Sequence, residues 1–587
     1  MPTPNSKPRP MADSPPFKLD DGSQVAVIGG GPAGSFFSHF LLDLAKRADM
    51  NIAVDIYDPK DFLRFGPIGC NHCGGIVSES LVQIMAAEGI NIPETVAQRG
   101  IDAYVLHTDV DSVRIDTPLQ EKRIAAMFRG GGPLGTSDAT WEGFDGFLQN
   151  LTRDSGAKII PEKVKAIDFD DTGRPVVTTR GDTSKTYDLL VGAVGVNSPF
   201  LKVIEKLDFG YRPPEITKTT ICEFYMGQEL AKRYFGDAMH VFLLNIPGLR
   251  FAALIPKGNF ITLALLGEKI DKEFLDSFLK SPEVKKCFPP DWDLPKEYKC
   301  RCSSYINIRG ALQPFADRVL LVGDCAASKL YKNGIGAAYV TAKAGATTAI
   351  LHGISAGDFK QNYWPACKSI NTDNAFGRII FAITRQIQKS KFLKRGVLRV
   401  VAKESKKEGK HRHMSSVLWD TFTGSAPYRN IILRSMRPGF WLPFIWETIV
   451  GMLPFRKNGK GGKGQVISSN ALGKVYRDGE TIINQGDTGD CMYVIQSGKV
   501  RIMGVEGNRK IHLAVLEEGD FFGEMALFEK QVRSTTVCAI DETRILTIDK
   551  KTLLRRIHED PSLAFRILQK MSSRIREMNC QLRDVQN

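Results

Sequence analysis

The chain has 587 residues, 43% hydrophobic and 25% charged, which excludes a wholly disordered polypeptide and, at roughly 100–200 residues per domain, predicts two to four domains. No run reaches the roughly 18–20 apolar residues of a spanning helix, and eleven cysteines, with no secretory signal ahead of them, predict a reducing, cytoplasmic setting rather than a disulfide scaffold. The formal charge of +14 is concentrated: between Asn371 and Gln465 stand 19 basic residues and five acidic ones, an excess equal to that of the whole chain.

Residues 1–22 are rich in Pro and Ser and read as a disordered tail. Residues 24–28 (QVAVI) predict a buried strand, 34–48 a helix and 52–57 (IAVDIY) a second strand. That β-turn-α-β order predicts an open α/β sheet. The turn reads GGGPAGS, a G-x-G-x-x-G of Gly29, Gly31 and Gly34 with Ala33 inside it. Such a loop lets the backbone approach a pyrophosphate, and the helix start offers amide hydrogens to it. Asp58 closes the second strand, where a carboxylate can accept ribose hydroxyls.

Strand-like runs and turns alternate over 100–320 (VRIDT, KAIDF, FLLNI, FAALIP). ADRVLLVGD (316–324) predicts a strand ending at Gly323 and Asp324, and 334–351 a helix of small residues. The basic stretch 371–464 follows. Within it, 378–403 places Ile379, Ile383, Ile387, Phe392, Leu393, Val397 and Val400 among cations, and 440–455 holds 16 residues with one charge. Both fit amphipathic segments on an anionic leaflet, or helices packing on a neighbouring domain. From 465 short strands recur between turn glycines, which predicts a compact β-barrel or jelly roll, and residues 561–582 have helical spacing.

The glycine loop, followed at a distance by Gly323-Asp324 and Gly334-Ile335-Gly336, resembles the flavoprotein family of geranylgeranyl reductases and aromatic hydroxylases over roughly residues 23–365. The nearest resemblance is to the geranylgeranyl reductases, carried by Cys73-Gly74-Gly75, by Arg129 with Phe144-Asp145 and Leu148, and by 188–195. It implies FAD, with Asp324 on the ribitol and the helix start at Gly334 and Ile335 facing the flavin's N1–O2 edge. It implies a role at the flavin for Cys73, NAD(P)H or another reductant as electron donor, and a hydrophobic or lipid substrate. Three departures stand out: the aromatic-rich element reads Phe251-Ala252-Ala253-Leu254-Ile255-Pro256-Lys257; Val194 replaces an Asp expected in hydroxylases; and Tyr331-Lys332-Asn333 replaces a Pro-rich approach to the flavin.

Cys70-Asn71-His72-Cys73 reads as a redox dithiol, as half of a metal site with Cys300 and Cys302, or as incidental thiols. The Cys300-x-Cys302 spacing is one residue short of the usual zinc pair, and no metal is expected.

Residues 477–500, then Phe522-Gly523-Glu524-Met525-Ala526-Leu527 and Arg533-Ser534-Thr535-Thr536, resemble the cyclic-nucleotide-binding domain of kinase regulatory subunits, gated channels and the catabolite activator protein. The resemblance covers about 465–587. Arg533 can pair with a cyclic phosphate through a charge-assisted fork, amides after Gly523 can bond its oxygens, and Glu524 can accept from the ribose 2′-hydroxyl. Ser534 next to the arginine favours cAMP over cGMP. No base-reading module accompanies the basic charge, so no nucleic acid partner is expected.

The expected architecture is therefore an α/β Rossmann-like FAD-binding fold with an inserted β-rich substrate part (23–370, the insert roughly 100–310), a basic helical connector (371–464) and a C-terminal β jelly-roll cyclic-nucleotide-binding domain (465–587). The expected activity is reduction of isoprenoid double bonds under cyclic-nucleotide control. A flavin hydroxylase or dehydrogenase, and a redox- and nucleotide-sensing signalling protein, are the alternatives. The expected location is the cytoplasm, with peripheral contact to the inner face of the membrane.

Overall fold

A computed structural model describes residues 17–66, 69, 74–117, 121–133, 142–406, 412–450, 471–506, 509–525, 527 and 532–586.

Six strands form the first sheet, in the order Phe315–Ala316, Val319–Leu321, Leu189–Gly192, Gln24–Ile28, Ala53–Tyr57 and Lys158–Ile160. All neighbours are parallel except the edge pair 315–316 with 319–321. Parallel strands are covered on both faces, so they read as apolar runs; Val25, Ala26 and Val27 are fully buried. The helices Pro32–Arg47 and Gly334–Leu351 lie against each other on this sheet, with Tyr339 set edge-on to Phe36 and Phe40 at 5.4 and 5.2 Å.

The second sheet has seven strands, in the order Tyr298–Arg309, Glu215–Tyr225, Phe260–Gly267, Leu249–Lys257, Ala238–Phe242, Ala103–His107 and Ser112–Asp116. Its side chains alternate between faces. In Leu249–Lys257, Phe251, Ala253 and Ile255 face a large cavity, while Ala252 and Leu254 face a layer built around the helix Lys272–Lys280. The FLLNI run is strand only at Phe242.

The basic stretch is helical and packs onto this body. The run 378–403 is two helices, Trp364–Lys389 and Lys391–Glu404, because Ser390 caps the second by accepting from the Leu393 amide at 3.3 Å. Val397 and Val400 are buried with Trp419, Phe422 and Ile101, and Ile387 and Leu393 pack on the same cluster; only Ile379, Ile383 and Phe392 of that series are exposed. Packing against the sheet therefore takes most of the apolar face that the sequence offered to a lipid surface. Of the run 440–455, residues up to 450 form the helix Pro438–Val450 and the rest lies outside the described residues.

The C-terminal region is an antiparallel sheet in the order Lys474–Tyr476, Thr536–Asp549, Cys491–Glu506 and Arg509–Leu516, with Thr481–Ile483 and Phe521–Phe522 added at the sides. Two helices follow, Lys550–Glu559 and Ser562–Gln586. Met492, Leu546, Leu553 and Ile567 from this region share one core with Leu81 and Met85 of the helix Glu79–Ala87. A fully buried side chain of this size contributes roughly 1.5–3 kcal/mol, so the domain is fastened to the first body by a common core.

Candidate functional site

The parallel sheet and the seven-stranded sheet enclose a cavity of about 700 Å³, inside the usual range for small-molecule sites. One end is the glycine loop. A Cβ at Gly34 would lie 1.9 Å from the Gly29 carbonyl, so only glycine lets the helix start this close to the strand. Gly29, Gly31 and Ala33 line the cavity, as does Asp58. Asp58 accepts from the amides of Gly30 at 2.8 Å and Lys60 at 2.9 Å. Burial pushes its carboxyl up, and those two amides oppose the rise.

Arg129 lies beside the loop. Its fork is clamped by Asp145, Nε to Oδ1 at 2.9 Å and the terminal nitrogen to Oδ2 at 2.7 Å. A Cβ at Gly31 would be 3.3 Å from the Arg129 guanidinium, so the loop backbone and a fixed positive charge face the same space.

Gly323 and Asp324 sit in a short 3-10 turn after the strand Val319–Leu321. Asp324 reaches the cavity, and its buried Oδ1 has no hydrogen-bond partner among the described residues; the same holds for Asn307 Oδ1. Orphaned buried acceptors are uncommon in folded proteins and point to a donor brought by a ligand. Gly334 and Ile335 also reach the cavity at the start of their helix, while Asn333, in the left-handed region at φ 55°, caps it by accepting from the Gly336 amide at 3.1 Å. Gly75 is a further wall residue. Its φ is 65°, and a Cβ there would meet the Met127 carbonyl at 1.9 Å. Cys70, His72 and Cys73 lie outside the described residues.

The far end is apolar. Ile221, Val241, Phe251, Ile255 and Leu266 come from the seven-stranded sheet. Phe422 and Thr423 come from the helix His413–Thr423, inside the basic stretch, and no short motif marked them. Lys332 lies among the rings of Phe251, Phe381 and Phe422, donating to the Thr421 carbonyl. Burial pushes its ammonium well below the usual lysine range. On the same face of the sheet as Ile255, Lys257 is fully buried over the Phe128 ring at 4.9 Å, and burial pushes the Glu223 carboxyl up against the pull of Lys257.

In the C-terminal domain Glu524 and Arg533 are brought together and are both buried. Arg533 donates to the carbonyls of Gly523 at 2.6 Å and Cys491 at 2.8 Å, and its guanidinium lies over the Tyr493 ring at 5.6 Å. Burial pushes the Glu524 carboxyl up, and Arg574 of the last helix, at 3.6 Å, opposes it. Ser534 and Met525 are exposed, Thr535 is half-buried, and Ala526 lies outside the described residues. Arg574 belongs to no motif, since its contacts depend on how the last helix folds back.

Residues 473–560 match the cyclic nucleotide-binding domain family. The chain is 33% identical over 110 residues to a cyclic AMP receptor protein of Thermus thermophilus, covering 19% of this chain and 51% of that one. It is 36% identical over 88 residues to a cAMP-dependent protein kinase regulatory subunit of Mucor circinelloides f. lusitanicus, covering 15% and 21%. The chain thus spans about half the length, or less, of these curated relatives. A geranylgeranyl bacteriochlorophyll reductase-like protein of Thermoplasma acidophilum superposes with a TM-score of 0.51 at 13% identity, over 71% of this chain and 99% of that one. At that identity the likeness concerns the fold: the N-terminal region has an oxidoreductase-like fold, and a cyclic nucleotide-binding-type domain follows it.

Proposed function

We propose that the chain is an FAD-dependent oxidoreductase that reduces double bonds of an isoprenoid or another hydrophobic substrate, under the control of a cyclic nucleotide bound by its C-terminal domain. The observation that supports the reading best is the cavity's polarity. Glycine-loop amides, the clamped Arg129 and the orphaned Asp324 Oδ1 stand at one end, and an aliphatic and aromatic wall at the other.

The residues fit FAD. Gly29, Gly31 and Gly34 would hold its pyrophosphate, Arg129 would balance the charge, Asp58 would accept from the ribose and Asp324 from the ribitol. FAD, when bound, supplies a hydride centre that a nicotinamide or another reductant recharges. The chain does the rest. The helix start at Gly334 and Ile335, which lines the cavity, would turn its partial positive charge toward the group held there. Phe251, Ile255 and Phe422 exclude water and orient an apolar chain. Lys332 holds an amine at the wall, where it can pass a proton.

For the nucleotide, Arg533 would leave its two carbonyls for the cyclic phosphate, and Glu524 would accept from the ribose. Ser534 is the ground for preferring cAMP. A peripheral membrane location is supported by the helix Pro438–Val450, whose Trp441, Leu442, Ile445, Trp446 and Ile449 are exposed while Phe444 and Glu447 face inward. No described helix is long and apolar enough to cross a membrane.

Flavin content tests the cofactor. The purified wild type should carry or take up FAD, and Gly31→Glu, which sets a carboxylate against the pyrophosphate, should not. FAD retained by that variant would overturn the assignment.

A further inference from the structure

On the face of the seven-stranded sheet turned away from the cavity, three metal-binding side chains converge. His107 ends the strand Ala103–His107, and His240 is in the parallel neighbour Ala238–Phe242, in register with Val105. The two imidazoles therefore project from the same face. Cys287 comes from the turn after the helix Pro282–Lys285, which covers that face. His107 Nε2 and His240 Nδ1 are 3.0 Å apart, and Cys287 Sγ is 3.4 Å from His240 Nδ1 and 3.8 Å from His107 Nε2.

We infer that His107, His240 and Cys287 form a thiolate–imidazole metal site for a borderline or soft ion, Zn²⁺ or Cu⁺. Geometry is the first reason. With metal–nitrogen bonds of about 2.05 Å and a metal–sulfur bond of about 2.3 Å, tetrahedral ligand atoms are separated by about 3.3 Å (N to N) and about 3.6 Å (N to S). The two N–S separations lie on either side of that value and the N–N separation is about 0.3 Å short of its own, so an ion fits with shifts of a few tenths of an ångström.

Hydrogen bonding is the second reason. The bond between His107 Nε2 and His240 Nδ1 needs one of the facing nitrogens to accept, so one ring already turns a lone pair into the site. The Cys287 thiol is the group that loses its proton when the ion binds. Cys–SH and the ion give Cys–S–metal, and H⁺ leaves to solvent. The ring that donates in the His107–His240 hydrogen bond passes that proton, through solvent, to its other nitrogen, so both rings ligate as neutral imidazoles and the hydrogen bond is exchanged for two metal bonds.

Access and charge complete the case. His240 and Cys287 are buried and His107 is half-buried, so the site is nearest to solvent on the His107 side. Lys286 and Arg114 are the charged groups felt by these rings. Cationic neighbours favour a site whose net charge is low, which a thiolate gives with Cu⁺ and, with a bound hydroxide, with Zn²⁺. The ion would tie the turn at Cys287 to the sheet at His240, whose neighbours Met239 and Val241 line the cavity.

The test uses the full chain. Zn²⁺, Co²⁺ as a coloured stand-in for zinc, and Cu⁺ without oxygen are each added, the excess is removed, and metal per chain is counted. The wild type should keep one equivalent, Co²⁺ should give a thiolate charge-transfer band, and the bound ion should raise Tm. Cys287→Ser and His240→Gln should each lose that equivalent and the rise in Tm, while Cys70→Ser/Cys73→Ser keeps both. Retention in Cys287→Ser, or loss only in the Cys70/Cys73 variant, would overturn the inference. So would a wild type that keeps none of the three ions. Which ion survives competition with a chelator separates Zn²⁺ from Cu⁺.

Discussion

Arg123 and Glu79 form a buried ion pair at 2.7 Å, and the same guanidinium donates to the Thr547 carbonyl of the C-terminal domain at 3.1 Å. Glu121, 3.3 Å from Arg123, returns the contact by accepting from the Thr547 amide at 2.8 Å. Glu79 also accepts from Trp419 Nε1 at 2.9 Å, and it follows Ser78, a residue of the cavity wall. One polar network thus joins the C-terminal domain to the wall of the cavity. A second network ties the last helix to the first body through Arg566, which pairs with Asp43 at 2.9 Å and Glu88 at 3.1 Å.

If these networks carry the control, removing the first should separate the two domains' responses. Arg123→Met alone leaves the carboxylates of Glu79 and Glu121 buried without their cation, at a cost of roughly 3–5 kcal/mol. Arg123→Met/Glu79→Gln should recover part of that stability. It should still bind flavin and nucleotide, yet its turnover should no longer change when cAMP is added. An unchanged nucleotide response would show that the coupling runs elsewhere.

At the phosphate site, Arg533→Lys keeps the charge and loses the fork. A hydrogen bond to a charged group is worth about 1.5–3 kcal/mol, so cAMP affinity should fall roughly 10- to 100-fold, with the flavin absorbance unchanged. Calorimetric titration reads the affinity; wild-type affinity would remove Arg533 from the site.

Acid should destabilise the fold partly through His39. Burial pushes its imidazole down to about 4, and Arg566 adds to this. Between about 6.5 and about 4 the unfolded chain takes up a proton here that the folded chain does not, so stability falls as pH falls through that window. His39→Gln should therefore lose less stability than the wild type between pH 7 and pH 5, read as the shift in urea midpoint. An equal shift would show that His39 does not carry the effect.

The exposed face of Pro438–Val450 predicts binding to anionic vesicles. Leu442→Asp/Trp446→Asp should move most of the protein from the vesicle pellet to the supernatant at low salt. Both positions are exposed, so the fold should be unaffected. Equal sedimentation of the variant would rule out this helix as the contact.

What could be read from the sequence was local. The glycine loop, Gly323-Asp324 and Phe522-Gly523-Glu524 are short elements whose chemistry is set by neighbours in the chain, and the two-part architecture followed from them. The relations between distant segments were not readable. Arg123 meets Thr547 only because the helix Glu79–Ala87 and the strand Thr536–Asp549 share a core. Phe422 reaches the cavity only because the basic stretch folds back, and its cationic texture suggested a partner outside the chain. His107, His240 and Cys287 show no ligand spacing, since sheet register and a covering helix bring them together.

The most direct test of the central claim is a mass comparison of isoprenoid lipids from cells expressing the wild type or Gly31→Glu, with and without added cAMP. The account predicts lipids that gain hydrogen with the wild type alone, to an extent that changes with cAMP. Identical lipid profiles in all four conditions would contradict it.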